Sequence, residues 1–185
     1  MHALSKKVFI GATALLLVAS SSAQAQVGLT SNAATVALTA TKNATLTVST
    51  NASTATLASI TDNSTANNFS PVSLTTAWNL TAGSSVRLIG WFATPTQALA
   101  NGTDLIPSSK VEGRVGATAY APFSSAAVGG VGVAGGSLQL FSQPVAAGSY
   151  LGSRTDQLDL RLNLTGTTTV AGDYTGTLNL QAVVQ

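Results

Sequence analysis

Apolar and polar residues alternate with a period of two along much of this chain. The apolar positions are Val36, Leu38 and Ala40; Leu46 and Val48; Val72, Leu74, Trp78 and Leu80; and Val86, Leu88 and Phe92. The pattern resumes at Leu138 and Leu140, at Leu158, Leu160, Leu162 and Leu164, and at Tyr174, Leu178, Leu180 and Val184. A period of two places one apolar face on a strand, so seven to eight short strands are predicted. Turn-forming residues separate them, among them Lys42-Asn43, Asp62-Asn63-Ser64, Asn101-Gly102 and Ala171-Gly172-Asp173. Short strands at this spacing predict a single all-β domain, an antiparallel β-sandwich. The polar stretch from Thr50 to Asn68 reads as a long loop, and Val128 to Gly136 as a flexible glycine-rich connection.

The first 25 residues read differently. A basic Lys6-Lys7 pair, a 12-residue apolar run from Val8 to Ala19 and an Ala23-Gln24-Ala25 cleavage site form the pattern of an export signal. The run is too short for a membrane span, which takes about 20 apolar residues. Residues 1–25 are therefore expected to be a signal peptide, with the sandwich in residues 26–185, placed in the periplasm, at the cell surface or in the medium.

This assignment changes the meaning of the charge. The whole chain carries eight Lys or Arg against six Asp or Glu, a net charge of +2, with one His, one Met and no Cys. Both Lys6 and Lys7, the only histidine and the only methionine lie in the first seven residues. The remaining 160 residues are neutral and lack His, Cys and Met. Imidazole and thiolate chemistry are absent from them, and so is a basic nucleic-acid-binding surface.

The motifs of catalysis and cofactor binding fail on context. Gly130-Val131-Gly132-Val133-Ala134-Gly135 matches G-x-G-x-x-G, with Asp156 about twenty residues on. A dinucleotide site needs those glycines to open a helix, whereas Ser137-Leu138-Gln139-Leu140-Phe141 reads as a strand. The serines have no histidine to activate them. Of the carboxylates, Asp156 with Asp159, or Asp104 with Glu112, could form a glycosidase pair. Asp159, however, alternates with Arg161 and Asn163 opposite the leucine face, the pattern of a solvated sheet surface. No enzyme, cofactor or metal is expected. The loop Asp62-Asn63-Ser64-Thr65, with Asn67 and Asn68, offers calcium a single carboxylate and reads as an ordinary polar loop. Seven N-x-S/T sequons, at Asn43, Asn51, Asn63, Asn68, Asn79, Asn101 and Asn163, exceed chance and matter only in a host that glycosylates them. Trp78 shares the core parity of its strand. Trp91 has the opposite parity and, with Tyr120, is the candidate surface for a glycan or protein ligand.

The closing stretch Ala171-Gly172-Asp173-Tyr174-Thr175-Gly176-Thr177-Leu178 carries a glycine two residues before a tyrosine at the head of an alternating strand. It resembles the tyrosine corner that opens strand F of immunoglobulin-like sandwiches. Only eleven residues follow Tyr174, so a strand G after it is not expected in this sequence. The A-G-x-Y-x-G-T-L ending is similar to the closing strand of chaperone–usher pilin subunits and of spore coat protein U-like secreted domains. It departs from the pilins at Val184, where they carry an aromatic, and in having no cysteine pair. The resemblance implies an immunoglobulin-like sandwich with an open groove lined by Tyr174, Leu178, Leu180 and Val184. A strand from a neighbouring subunit would fill it. The candidate donor is the segment from Gln26, with Val27 and Leu29, or with Val36, Leu38 and Ala40. The expected function is a secreted, non-enzymatic structural or surface-assembly protein that self-associates or joins other secreted subunits. The alternatives are a monomeric glycan- or protein-binding module using Trp91 and Tyr120, and a small outer-membrane β-barrel.

Overall fold

Strands form where the period-two pattern finds a partner edge, and the register shows which partner each apolar face acquires. The computed structural model describes residues 34–65 and 67–185. The expected signal peptide, and Val27 and Leu29 of the expected donor, lie outside them. Lys42–Gln185 forms one compact unit. Of the preceding unit, residues 34–41 are described and carry no regular secondary structure.

The fold is all-β. Its strands are β1 (Thr45–Thr50), β2 (Asn67–Asn68), β3 (Val72–Asn79), β4 (Ser85–Phe92), β5 (Leu99–Asn101) and β6 (Asp104–Ile106). They continue with β7 (Val111–Val115), β8 (Ala121–Pro122), β9 (Ser137–Pro144), β10 (Leu151–Leu162) and β11 (Leu178–Val184). Seven of them, β1, β3, β4, β7, β9, β10 and β11, have five residues or more. The expected count of seven to eight matches these, and the rest are two- or three-residue ladders. One sheet has the order β1-β3-β10-β7-β8, with β2 also on β10. A second has the order β11-β4-β9, and β5 and β6 form a separate hairpin. Every pairing is antiparallel.

The two larger sheets pack face to face around one core. Val72, Leu74 and Trp78 of β3, and Leu158, Leu160 and Leu162 of β10, face inward and are buried. From the second sheet come Val86, Leu88 and Phe92 of β4, with Leu138, Leu140 and Phe141 of β9. Trp78 thus takes its expected core position. At the centre lies Phe123, fully buried, whose ring meets Phe92 edge-on at 5.2 Å between centroids. A Cβ on Gly113 of β7 would stand 3.0 Å from this ring, and one on Gly90 of β4 would stand 2.9 Å from it. One glycine from each sheet leaves the slot that the phenyl ring fills.

Four expectations need correction. Val36, Leu38 and Ala40 alternate, but residues 34–44 form no strand. Alternation alone does not make a strand when no neighbouring edge completes its hydrogen bonds. The closing strand begins at Leu178, not Tyr174, because Thr175 is held elsewhere: it exchanges backbone hydrogen bonds with Ala100 at 2.9 and 3.0 Å. The glycine-rich segment is an ordered strap. Val128 and Val131 exchange backbone hydrogen bonds of 2.8 and 3.0 Å, and the Ser137 hydroxyl joins both backbone groups of Val133 at 2.7 Å. Gly129 of this strap packs against Val183 and Gln185, on the outer side of β11. The barrel alternative requires one closed ladder, whereas among the described residues the sheets stay open, at β1 and β8 and at β11 and β9.

Replacing Phe123 by Ala is expected to lower unfolding stability by about 3–5 kcal/mol, because the slot between the two glycines cannot collapse. Urea denaturation followed by tryptophan fluorescence measures this.

Candidate functional site: a groove beside the closing strand

The site begins with an edge. β11 pairs with β4 from Leu178↔Phe92 to Val184↔Val86, and among the described residues nothing pairs with its other edge. On that side of the sheet β1 runs close to β11. Beyond Thr50 the chain leaves β3, held by the Asn51 N–H to the Ser73 carbonyl at 2.9 Å and the Ser70 N–H to the Thr56 carbonyl at 2.7 Å. A groove of about 940 Å³ opens there. Its walls are residues 52–60 on one side and 169–178 on the other. Its floor is core: Phe92, Val111, Leu158, Leu160 and Leu162, with Leu180 at the margin. Of the four residues named for a strand-exchange groove, Tyr174, Leu178 and Leu180 line this cavity and Val184 does not. β11 is an inner-facing strand whose Leu178, Leu180 and Ala182 are only partly covered.

The wall containing Tyr174 is rigidly built. The Tyr174 hydroxyl bonds back to Val170, four residues upstream, accepting from its N–H at 3.1 Å and donating to its carbonyl at 3.0 Å. It also lies against the Asp104 carboxylate, which accepts from the Val170 N–H at 3.0 Å. A tyrosine hydroxyl returning to the backbone just upstream is the hydrogen-bond pattern of a tyrosine corner. The flanking glycines have a steric reason. A Cβ on Gly176 would overlap the Ala98 carbonyl oxygen, and one on Gly172, where φ is +150°, would overlap the Asn101 amide. The A-G-x-Y-x-G motif therefore docks the β5–β6 hairpin onto the corner. The other wall is tied to the same segment, since Asp62 accepts from the Thr169 N–H at 3.0 Å and from its hydroxyl at 2.8 Å.

The structure separates the two aromatic candidates. Trp91 sits on the outer face of β4, half-buried, opposite Asn179 and Ser137. Tyr120 lies over the other sheet, between the guanidinium groups of Arg161, 4.0 Å from its ring centroid, and Arg114, at 4.4 Å. The two therefore do not form one patch. Tyr120 covers a polar network on the outer face of β7 and β10 in which charges meet directly across the strands. Arg114 pairs with Asp159 at 3.0 Å and Arg161 with Glu112 at 2.6 Å. Asn163 also donates to Glu112 at 2.8 Å. Asp156 is held in a two-pronged pair with Arg154, each bond 2.6 Å long. The carboxylates considered for hydrolysis are thus each held by a cation or, for Asp104, by Tyr174 and Val170.

The strap that carries G-x-G-x-x-G leads into β9, a strand, so no helix N-terminus stands at its end. The Asp62 loop is a clasp: besides the bonds from Thr169, the Asn63 side-chain oxygen accepts from the Gly166 N–H at 3.0 Å. Among the described residues no cluster of three or more His, Cys, Asp or Glu is placed to hold a metal, and no helix is long and apolar enough to cross a membrane. Phe123, Asp104 and the wall 52–60 carry no sequence signal of their own, because each acquires its role from segments distant in the chain. The chain matches no known protein-family model and no curated protein.

Tyr174→Phe removes the hydroxyl from Val170 and Asp104, and is expected to cost about 0.5–1.5 kcal/mol. Gly176→Ala is expected to cost more, since its Cβ meets backbone. The shift of the urea midpoint at constant slope tests both.

Proposed function

We propose that this chain is a secreted, non-enzymatic structural subunit, pilin-like in its manner of assembly, whose immunoglobulin-like sandwich accepts a strand from another chain. The observation that carries this reading is that, among the described residues, β11 is paired on one edge only, beside a groove floored by core leucines.

The topology supports the immunoglobulin-like reading. In such sandwiches strands A, B, E and D form one sheet, and C, F and G the other. The order β1-β3-β10-β7 corresponds to A-B-E-D, and β4 with β11 to C and F, while β9, on the other side of β4, has no counterpart in that scheme. The tyrosine-corner hydrogen bonds of Tyr174, just ahead of β11, agree with this assignment. The place of G, on the free side of β11, has no strand among the described residues. An unpaired edge offers a row of backbone donors and acceptors, and the adjoining floor offers apolar area, so an added strand satisfies both. Export rests on the sequence pattern of residues 1–25. The near absence of net charge after their removal leaves little repulsion to oppose self-association.

The secreted chain is expected to form concentration-dependent oligomers, and the same chain without residues 26–40 is expected to stay monomeric. Sedimentation velocity compares the two. Equal monomers at every concentration would count against strand acceptance.

A further inference from the structure

The charges of the described residues divide in two. Three carboxylates, Glu112, Asp156 and Asp159, are each paired with an arginine on the sheets. The other three, Asp62, Asp104 and Asp173, have no cation partner, and all three gather at the Tyr174 end of the groove. Asp62 and Asp173 line it, and Asp62 and Asp104 bind the successive residues Thr169 and Val170. An apolar groove with an anionic end selects an occupant that is apolar along its length and cationic at one terminus.

Among the described residues one exposed segment fits. Val36, Leu38, Ala40 and Lys42 fall on one face of an extended stretch. Val36 and Leu38 are 81% and 90% exposed, and Lys42 is exposed, with no bonding partner among the described residues. It is also the only charged residue between Gln26 and Thr61.

Reach decides whose Lys42 is involved. The groove opens at the Thr50 end of β1, whereas Lys42 precedes Thr45 at the other end. Three residues extend at most about 11 Å. β1 itself covers about 20 Å. A chain's own Lys42 therefore falls short of its own Asp62 and Asp173, and only a second copy can bring one there.

We infer that the groove takes residues 36–42 of a second copy, registered by Lys42 against Asp173 and Asp62. This rests on the strand-acceptance reading above, takes the second of the two donor segments considered from sequence, and adds its direction and register. With Lys42 at the Tyr174 end, Ala40, Leu38 and Val36 follow toward Leu180, so the incoming strand runs antiparallel to β11. The lysine stem lies along the apolar wall while its ammonium reaches the carboxylates.

Sedimentation velocity on the chain from Gln26 tests the register. At low salt Lys42→Glu is expected to weaken self-association by about five- to tenfold, and the deficit should shrink at 1 M salt as screening removes the repulsion. Asp173→Lys should weaken it similarly, and an equimolar mixture of the two variants should associate more tightly than either alone. Leu178→Lys, which charges the groove wall, should abolish association whatever the salt. If Lys42→Glu associates as wild type while Leu178→Lys does not, the register is wrong and strand acceptance stands. If Leu178→Lys associates normally, or the wild type does not associate, both fall.

Discussion

The two sheets of this protein are held at their working distance by one side chain. Phe123 fills the space left by Gly90 and Gly113, and its ring makes a T-shaped contact with Phe92, a residue of the groove floor. A larger residue at either glycine would push the sheets apart or evict the ring. A smaller one at 123 would leave a void that the leucines of β10 and β9 could close only by sliding. The spacing of the sheets decides whether the margin between β1 and β11 is a closed seam or an open groove. The site therefore inherits its width from a contact near the middle of the core.

Around that centre the polar groups follow two rules. On the outer face of β7 and β10, charges are neutralised locally by cross-strand pairing, and Tyr120 is enclosed between Arg114 and Arg161. Around Tyr174, carboxylates hold backbone and hydroxyl groups in place, and their charge stays uncompensated by any cation among the described residues. The first arrangement compensates its charges within the sheet. The second builds a stiff wall and leaves a field across the mouth of the groove.

Much of the fold was legible because a half-buried strand writes its burial into alternate residues. Leu158 to Leu164, and Val72 to Trp78, face the core as their parity requires. The tyrosine motif was legible too, since its spacing reflects a local hydrogen bond. What escaped the sequence depends on partners far apart in the chain. Phe123 sits in a stretch without periodicity and matters because two distant glycines make room for it. Tyr120 suggested an exposed patch because the guanidinium groups that enclose it come from different strands. Val36 and Leu38 alternate like a strand without pairing as one among the described residues.

The strap from Val128 to Gly136 has a consequence for the closing strand. By packing Gly129 on Val183 and Gln185, it clamps the outer side of β11, while β4 holds one edge and the core holds the inner side. The remaining edge, unpaired among the described residues, thus belongs to a strand held along its β4 side and, at its C-terminal end, by the strap. For any segment that adds to it, the receiving surface is preorganised, and nearly all the loss of conformational freedom falls on the newcomer. Residence time on such an edge is governed by how much the newcomer must give up, and little by the host.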